Sequence, residues 1–104
     1  MCPRFHIDRV GIRMLCTYRG PGTEWLDDRY ADRTFLGSNA VTEMYTGSGL
    51  ILDQAAIHSA PTFAVVLLKG SLWQGNAGKG VIHRSPQIED GSSRVLVAMD
   101  AIWN

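Results

Sequence analysis

No apolar run in this chain is long enough for more than a strand, and nearly every one is closed by glycine or proline. Ile12-Arg13-Met14-Leu15-Cys16-Thr17-Tyr18 stops at Gly20-Pro21-Gly22, and Phe63-Ala64-Val65-Val66-Leu67-Leu68 stops at Lys69-Gly70. Gly80-Val81-Ile82-His83 follows the loop Gly75-Asn76-Ala77-Gly78, and Glu89-Asp90-Gly91-Ser92-Ser93 turns the chain into the final run from Arg94 to Trp103. Glycine frees the backbone and proline fixes it, so the chain must reverse at each of these points. Short β-prone runs at this spacing predict strands, with Phe63–Leu68 a buried one. A helical pattern is confined to Leu50–His58, where about two turns would end before Pro61. The stretch from Leu26 to Tyr45 is polar, Gly-interrupted and aperiodic, which predicts a long loop or excursion, functional or mobile. The expectation is an all-β single domain, a barrel or sandwich, with one long loop and one short helix.

Charge and composition narrow the function classes. Ten basic and ten acidic residues cancel in a chain of 104, so no electrostatic grip on nucleic acid is expected. No apolar stretch approaches the ~18 residues of a membrane span, and no membrane partner is expected. The first thirty residues contain no apolar block between their charges, so no secretory leader is expected. Cys2 and Cys16 are too few for a disulfide scaffold, which points to a reduced, cytoplasmic setting.

Chemistry concentrates in three residues. His6 and Asp8 stand two apart, and in an extended segment such residues share a face about 6.5–7 Å apart. His83, on another predicted strand, would complete two imidazoles and one carboxylate around a divalent cation, leaving coordination positions open. Arg94 follows eleven residues after His83 (94 − 83), far enough to turn at Asp90-Gly91 and return with a guanidinium able to take a carboxylate bidentately. The bland alternative stays open: a surface His6, an Asp8 paired with Arg9 or Arg13, and a His83 satisfied within its strand. Cys2 adds a second alternative, a closed zinc site of Cys2, His6, Asp8 and His83. His58 reads as a loop residue, and Trp25, Trp73 and Trp103 as core or rim anchors. Gly75–Gly80 lacks the Gly-Lys-Ser/Thr ending and the following helix of a phosphate loop. Neither Ser59 nor Ser85 sits in a nucleophile elbow.

The segments Cys2-Pro3-Arg4-Phe5-His6-Ile7-Asp8, Gly20-Pro21-Gly22-Thr23-Glu24-Trp25, Leu68-Lys69-Gly70 with Trp73, Gly75-Asn76 and His83-Arg84-Ser85-Pro86 together resemble one bacterial family, domain of unknown function 1826. The resemblance spans essentially the whole chain. It implies a link to metal homeostasis, because members are found beside zinc-responsive genes and zinc-chaperone GTPases. The order His-x-Asp, His, Arg is more distantly similar to the double-stranded β-helix of Fe(II)/2-oxoglutarate dioxygenases, a cupin-like barrel. That similarity implies His6, Asp8 and His83 as metal ligands and Arg94 as the site for the 2-oxoglutarate carboxylate, assisted by Arg13 or Tyr18.

One departure stands out. The dioxygenase barrel supplies strands ahead of His-x-Asp, whereas five residues precede His6 here. Residues 1–104 are therefore expected to be the C-terminal part of the family's full unit, a barrel lacking its first strands. Exposed sheet edges would then favour a homodimer. The leading functional expectation is a metal protein of the oxygenase type, with Fe(II) favoured over zinc and a small-molecule substrate. A non-catalytic zinc module and a metal-free β-barrel interaction domain are the alternatives.

Overall fold

The structure is a computed structural model and describes residues 2–36 and 49–102. Its six strands are β1 (Ile12–Arg19), β2 (Glu24–Leu26), β3 (Ile57–Ser59), β4 (Val65–Lys69), β5 (His83–Arg84) and β6 (Val95–Asp100). All pairings between them are antiparallel, in two three-stranded sheets ordered β4-β1-β6 and β3-β2-β5. The all-β expectation holds. The closed barrel does not form: each sheet has two edges and no strand joins them among the described residues.

Register sets what each face carries. On β1, Arg13, Leu15 and Thr17 turn one way and Met14, Cys16 and Tyr18 the other. Leu15 and Thr17 are buried, as is Leu68 on the neighbouring β4. In the second sheet Trp25 pairs with His58 on one side and His83 on the other, so these three share a face. The opposite face bears Leu26 and packs with Phe5, Leu50, Ala56 and Ile82 into the core cluster. Ile82, only 1% exposed, sits at its centre.

The predicted helix over Leu50–His58 is not one. Residues 50–52 run alongside Tyr30–Asp32, with Asp32 N–H donating to Leu50 O and Leu52 N–H to Tyr30 O, both at 2.9 Å. A single 3₁₀ turn follows at Gln54–Ala56, capped by the Asp53 carboxylate, before Ile57 enters β3 opposite Leu26. Cross-chain pairing draws off the backbone groups a helix would have used. The predicted long loop from Leu26 includes two further 3₁₀ turns, Asp28–Tyr30 and Arg33–Phe35, capped by Asp27 and Asp32. Its remainder, residues 37–45, and Trp103 lie outside the described residues. The run Phe63–Leu68 is also not a buried strand throughout. Pairing begins at Val65, and Val65 and Leu67 face outward while Leu68 faces in.

Candidate metal centre

His6 and His83 are locked to each other through the backbone. Each N–H donates to the other's carbonyl at 3.0 Å, a hydrogen-bonded antiparallel pair that sets the side chains next to one another. Their ring centroids lie 4.5 Å apart. Both imidazoles are anchored the same way: His6 Nδ1 donates to Arg4 O at 2.8 Å and His83 Nδ1 to Val81 O at 2.9 Å. A carbonyl only accepts, so Nδ1 carries the proton in each ring, and in the neutral ring Nε2 presents a lone pair.

Both Nε2 atoms point at one carboxylate. His6 Nε2 is 3.4 Å from Asp8 Oδ1 and His83 Nε2 is 3.2 Å from Asp8 Oδ2. Asp8 and His83 are 7% and 5% exposed. With neutral rings, lone pairs face lone pairs, and Asp8 Oδ2 is buried with no hydrogen-bond donor. Protonating both rings instead would set two cations side by side and add them to Arg13 on a single carboxylate. Protonating one ring supplies one donor and leaves the other ring's lone pair facing the carboxylate, whereas one divalent cation among the three would satisfy all of these atoms. The donor atoms lie within 4.8 Å of one another, close to the roughly 4 Å across a cation with ~2.1 Å bonds. A hydrogen bond from the outer ring nitrogen to a carbonyl is also the usual support for a metal-bound histidine.

Electrostatics follow from this cluster. Burial alone would raise the Asp8 pKa, but the two imidazoles against it, which donate to it when protonated, and the charge of Arg13 hold it well below the usual carboxylate range. The His6 pKa is raised, chiefly by Asp8, against the opposing effect of burial.

The loop carrying Asp8 is fastened to the end of β4. Ser71 N–H donates to Asp8 O and Gly70 N–H to Gly11 O, both at 2.9 Å. A Cβ on Gly70 would overlap the carbonyl oxygens of Val10 and Asp8, so only glycine allows this approach. Arg13 steadies the same carboxylate from β1. Its Nη1 is 3.1 Å from Asp8 Oδ1, and Nε and Nη2 clasp Asp100 at 2.6 and 3.0 Å.

Residues 1–100 match the family described as "Protein of unknown function (DUF1826)". The chain belongs to this family. No curated protein and no solved structure matches it. In this member of the DUF1826 family, two widely separated family segments supply His6, Asp8 and His83 to one cluster.

The other expected site residues are placed differently. Cys2 lines the same cavity of about 210 Å³ as His6, Arg13, Thr23 and His83. Its thiol bonds Arg4 O and stands outside the cluster of three. Arg13 is engaged by two carboxylates, which makes it a brace for Asp8. Tyr18 is on the outward face of β1, edge-on to Phe63, and does not join the cluster. Arg94 donates from Nε to Pro21 O at 2.8 Å and from Nη2 to Thr23 Oγ1 at 2.9 Å and Thr17 Oγ1 at 3.3 Å. Thr23 lines the cavity, so Arg94 stands directly behind its wall. Burial pushes the Arg94 pKa down, and among the described residues no carboxylate answers its charge. His58, expected in a loop, lies in β3 and stacks on Trp25 at 4.4 Å.

Sequence reasoning missed Thr17, Thr23, Gly70 and Asp100. Thr23 and Gly70 fall inside quoted family segments, which was a signal available for both. Asp100 was not identifiable until β6 was registered against β1, where it pairs with Arg13.

Proposed function

We propose that this protein binds one divalent cation through His6, Asp8 and His83 and uses it in oxygenase-type chemistry on a small molecule. The observation that carries the reading is the convergence of two tautomer-fixed Nε2 atoms on a buried carboxylate whose Oδ2 has no donor. Two imidazoles and one carboxylate occupy one side of a cation and leave the other for ligands, the arrangement of non-haem Fe(II) sites. When bound, such a cation supplies Lewis acidity and a place to activate oxygen. The chain's own residues do the positioning: Arg4 O and Val81 O orient the rings, and Arg13 holds Asp8.

Arg94 is the receiver for an anionic co-substrate of the 2-oxoglutarate class. A half-buried guanidinium without a counter-charge is costly unless an anion completes it, and its Nη2 is held by Thr17 and by Thr23, which lines the cavity. The test is calorimetry of the metal-loaded protein with 2-oxoglutarate. Arg94→Ala is expected to keep metal affinity within about threefold and lose 2-oxoglutarate binding by at least about tenfold, the scale of one charge-assisted pair. Equal 2-oxoglutarate affinity in both proteins refutes the assignment of Arg94.

A second reading, a zinc-binding module of metal homeostasis, is favoured by one observation: Cys2 lines the same cavity as both histidines. It requires Zn(II) affinity to fall in Cys2→Ser and no turnover of 2-oxoglutarate.

A further inference from the structure

The outward face of the β4-β1-β6 sheet is apolar and nothing among the described residues packs on it. Cross-strand register builds it in rows: Val65–Cys16–Val97, then Leu67–Met14–Met99. Val95 extends it along β6, and Tyr18 with Phe63 closes one end in an edge-to-face pair at 6.2 Å. Phe63 and Leu67 are 69% and 62% exposed, and Tyr18, Val65, Val95, Val97 and Met99 each expose two-fifths or more of their surface. An antiparallel sheet with one solvated face normally alternates apolar with polar residues. Here the outward positions are as apolar as the inward ones.

Together these seven side chains present on the order of 800 Å², beyond the few hundred Å² of a typical monomer patch and equal to one partner's share of a standard interface. Charge is confined to its margins: Arg19 stands opposite Val95 at one end, and Lys69 opposite Ile12 at the other, its Nζ 5.0 Å from the Trp73 ring. Permanent homodimer interfaces have this apolar, charge-poor character, whereas transient partners meet a more polar surface. A two-fold axis near Cys16 would bring the rows of one copy against the same rows of the other. Phe63 adds a further sign: it holds φ at 72°, a strained conformation for a bulky residue, that presents its ring to this surface.

We infer that the protein is a homodimer in which two copies pack this sheet face on itself, leaving the metal cavity on the far side of each sheet. Homodimerisation through sheet edges, expected from the sequence, would engage an outer strand, β4 or β6 of this sheet or β3 or β5 of the other; the face is a different surface centred on β1. Sedimentation velocity of the full chain over a micromolar concentration series distinguishes them. Wild type is expected to sediment as a dimer, and Leu67→Lys and Met14→Lys to weaken association by at least about tenfold. Leu52→Lys, equally exposed at 63% but beside Tyr30 and outside the β4-β1-β6 sheet, is the control and should remain dimeric. Leu67 is largely in solvent, so its replacement leaves the monomer fold intact by circular dichroism. Met14 lies on the central strand and takes no part in edge pairing. A monomeric wild type overturns the inference, and so does a dimer that survives both substitutions.

Discussion

Replacing Gly70 with alanine tests how tightly the Asp8 loop is docked. The added methyl overlaps Val10 O and Asp8 O, both backbone atoms, so no rotamer change relieves the clash. The loop must withdraw, which strains the bonds Gly70 N–H to Gly11 O, Ser71 N–H to Asp8 O and Leu72 N–H to Val10 O, at 2.9, 2.9 and 3.1 Å. At about 0.5–1.5 kcal/mol net for each, the loss is on the order of 2–4 kcal/mol. Asp8 moves with its backbone, and disturbing the groups that hold a metal ligand in place typically costs about 10- to 100-fold in affinity. Gly78→Ala supplies the comparison. It has nothing within 4 Å of its Cβ and φ of +72°, so only the left-handed strain of about 1–2 kcal/mol applies. Urea unfolding followed by circular dichroism measures both, with metal titration of each variant. The reasoning is refuted if Gly70→Ala unfolds within about 0.5 kcal/mol of wild type and binds metal equally well.

Other outcomes follow from the same geometry. In metal-free protein the His6 pKa is raised above 6.5, so its pairing with Asp8 contributes stability that is complete below pH 6.5 and is lost as pH rises through the higher folded value. Melting temperature without metal should therefore fall between about pH 6 and 8, whereas with metal it should rise over that interval because protons compete for the same nitrogen. The Asp8 pKa is held below its ordinary 3.8, so its contribution is present above that value and disappears as pH falls, visible as acid unfolding. Ile82→Ala, at the centre of the core, should cost about 2–5 kcal/mol in urea melts; a loss under about 1 kcal/mol contradicts that placement. If the cation is held by three residues, Cys2→Ser leaves Mn(II) affinity unchanged by calorimetry, and a loss of tenfold or more, about 1.4 kcal/mol, would move Cys2 into the site.

The cluster of His6, Asp8 and His83 was more legible than the fold around it. Alternation in an extended segment put His6 and Asp8 together, and a distant histidine on a second strand-like run pointed to His83. Parity could have gone further: Arg13 and Tyr18 differ by an odd number, so on one strand they cannot both face the cavity. Arg13 was visible as a charge near the site, but its occupation by Asp100 depends on a partner 87 residues away. Leu50–His58 misled because an apolar run carries no record of where its backbone groups will pair. The buried reading of Phe63–Leu68 failed because apolar character alone does not distinguish a covered strand face from one left open to a partner.

The central claim is that one cation satisfies His6, Asp8 and His83 together. X-ray absorption at the metal edge, on the full chain loaded with Mn(II) or Zn(II), tests it most directly, repeated on Asp8→Asn and His83→Ala. The account predicts one equivalent per chain, two imidazoles among nitrogen and oxygen ligands at about 2.0–2.2 Å, and loss of that shell in both variants. A cation whose shell is unchanged in both, or no saturable binding at all, contradicts it.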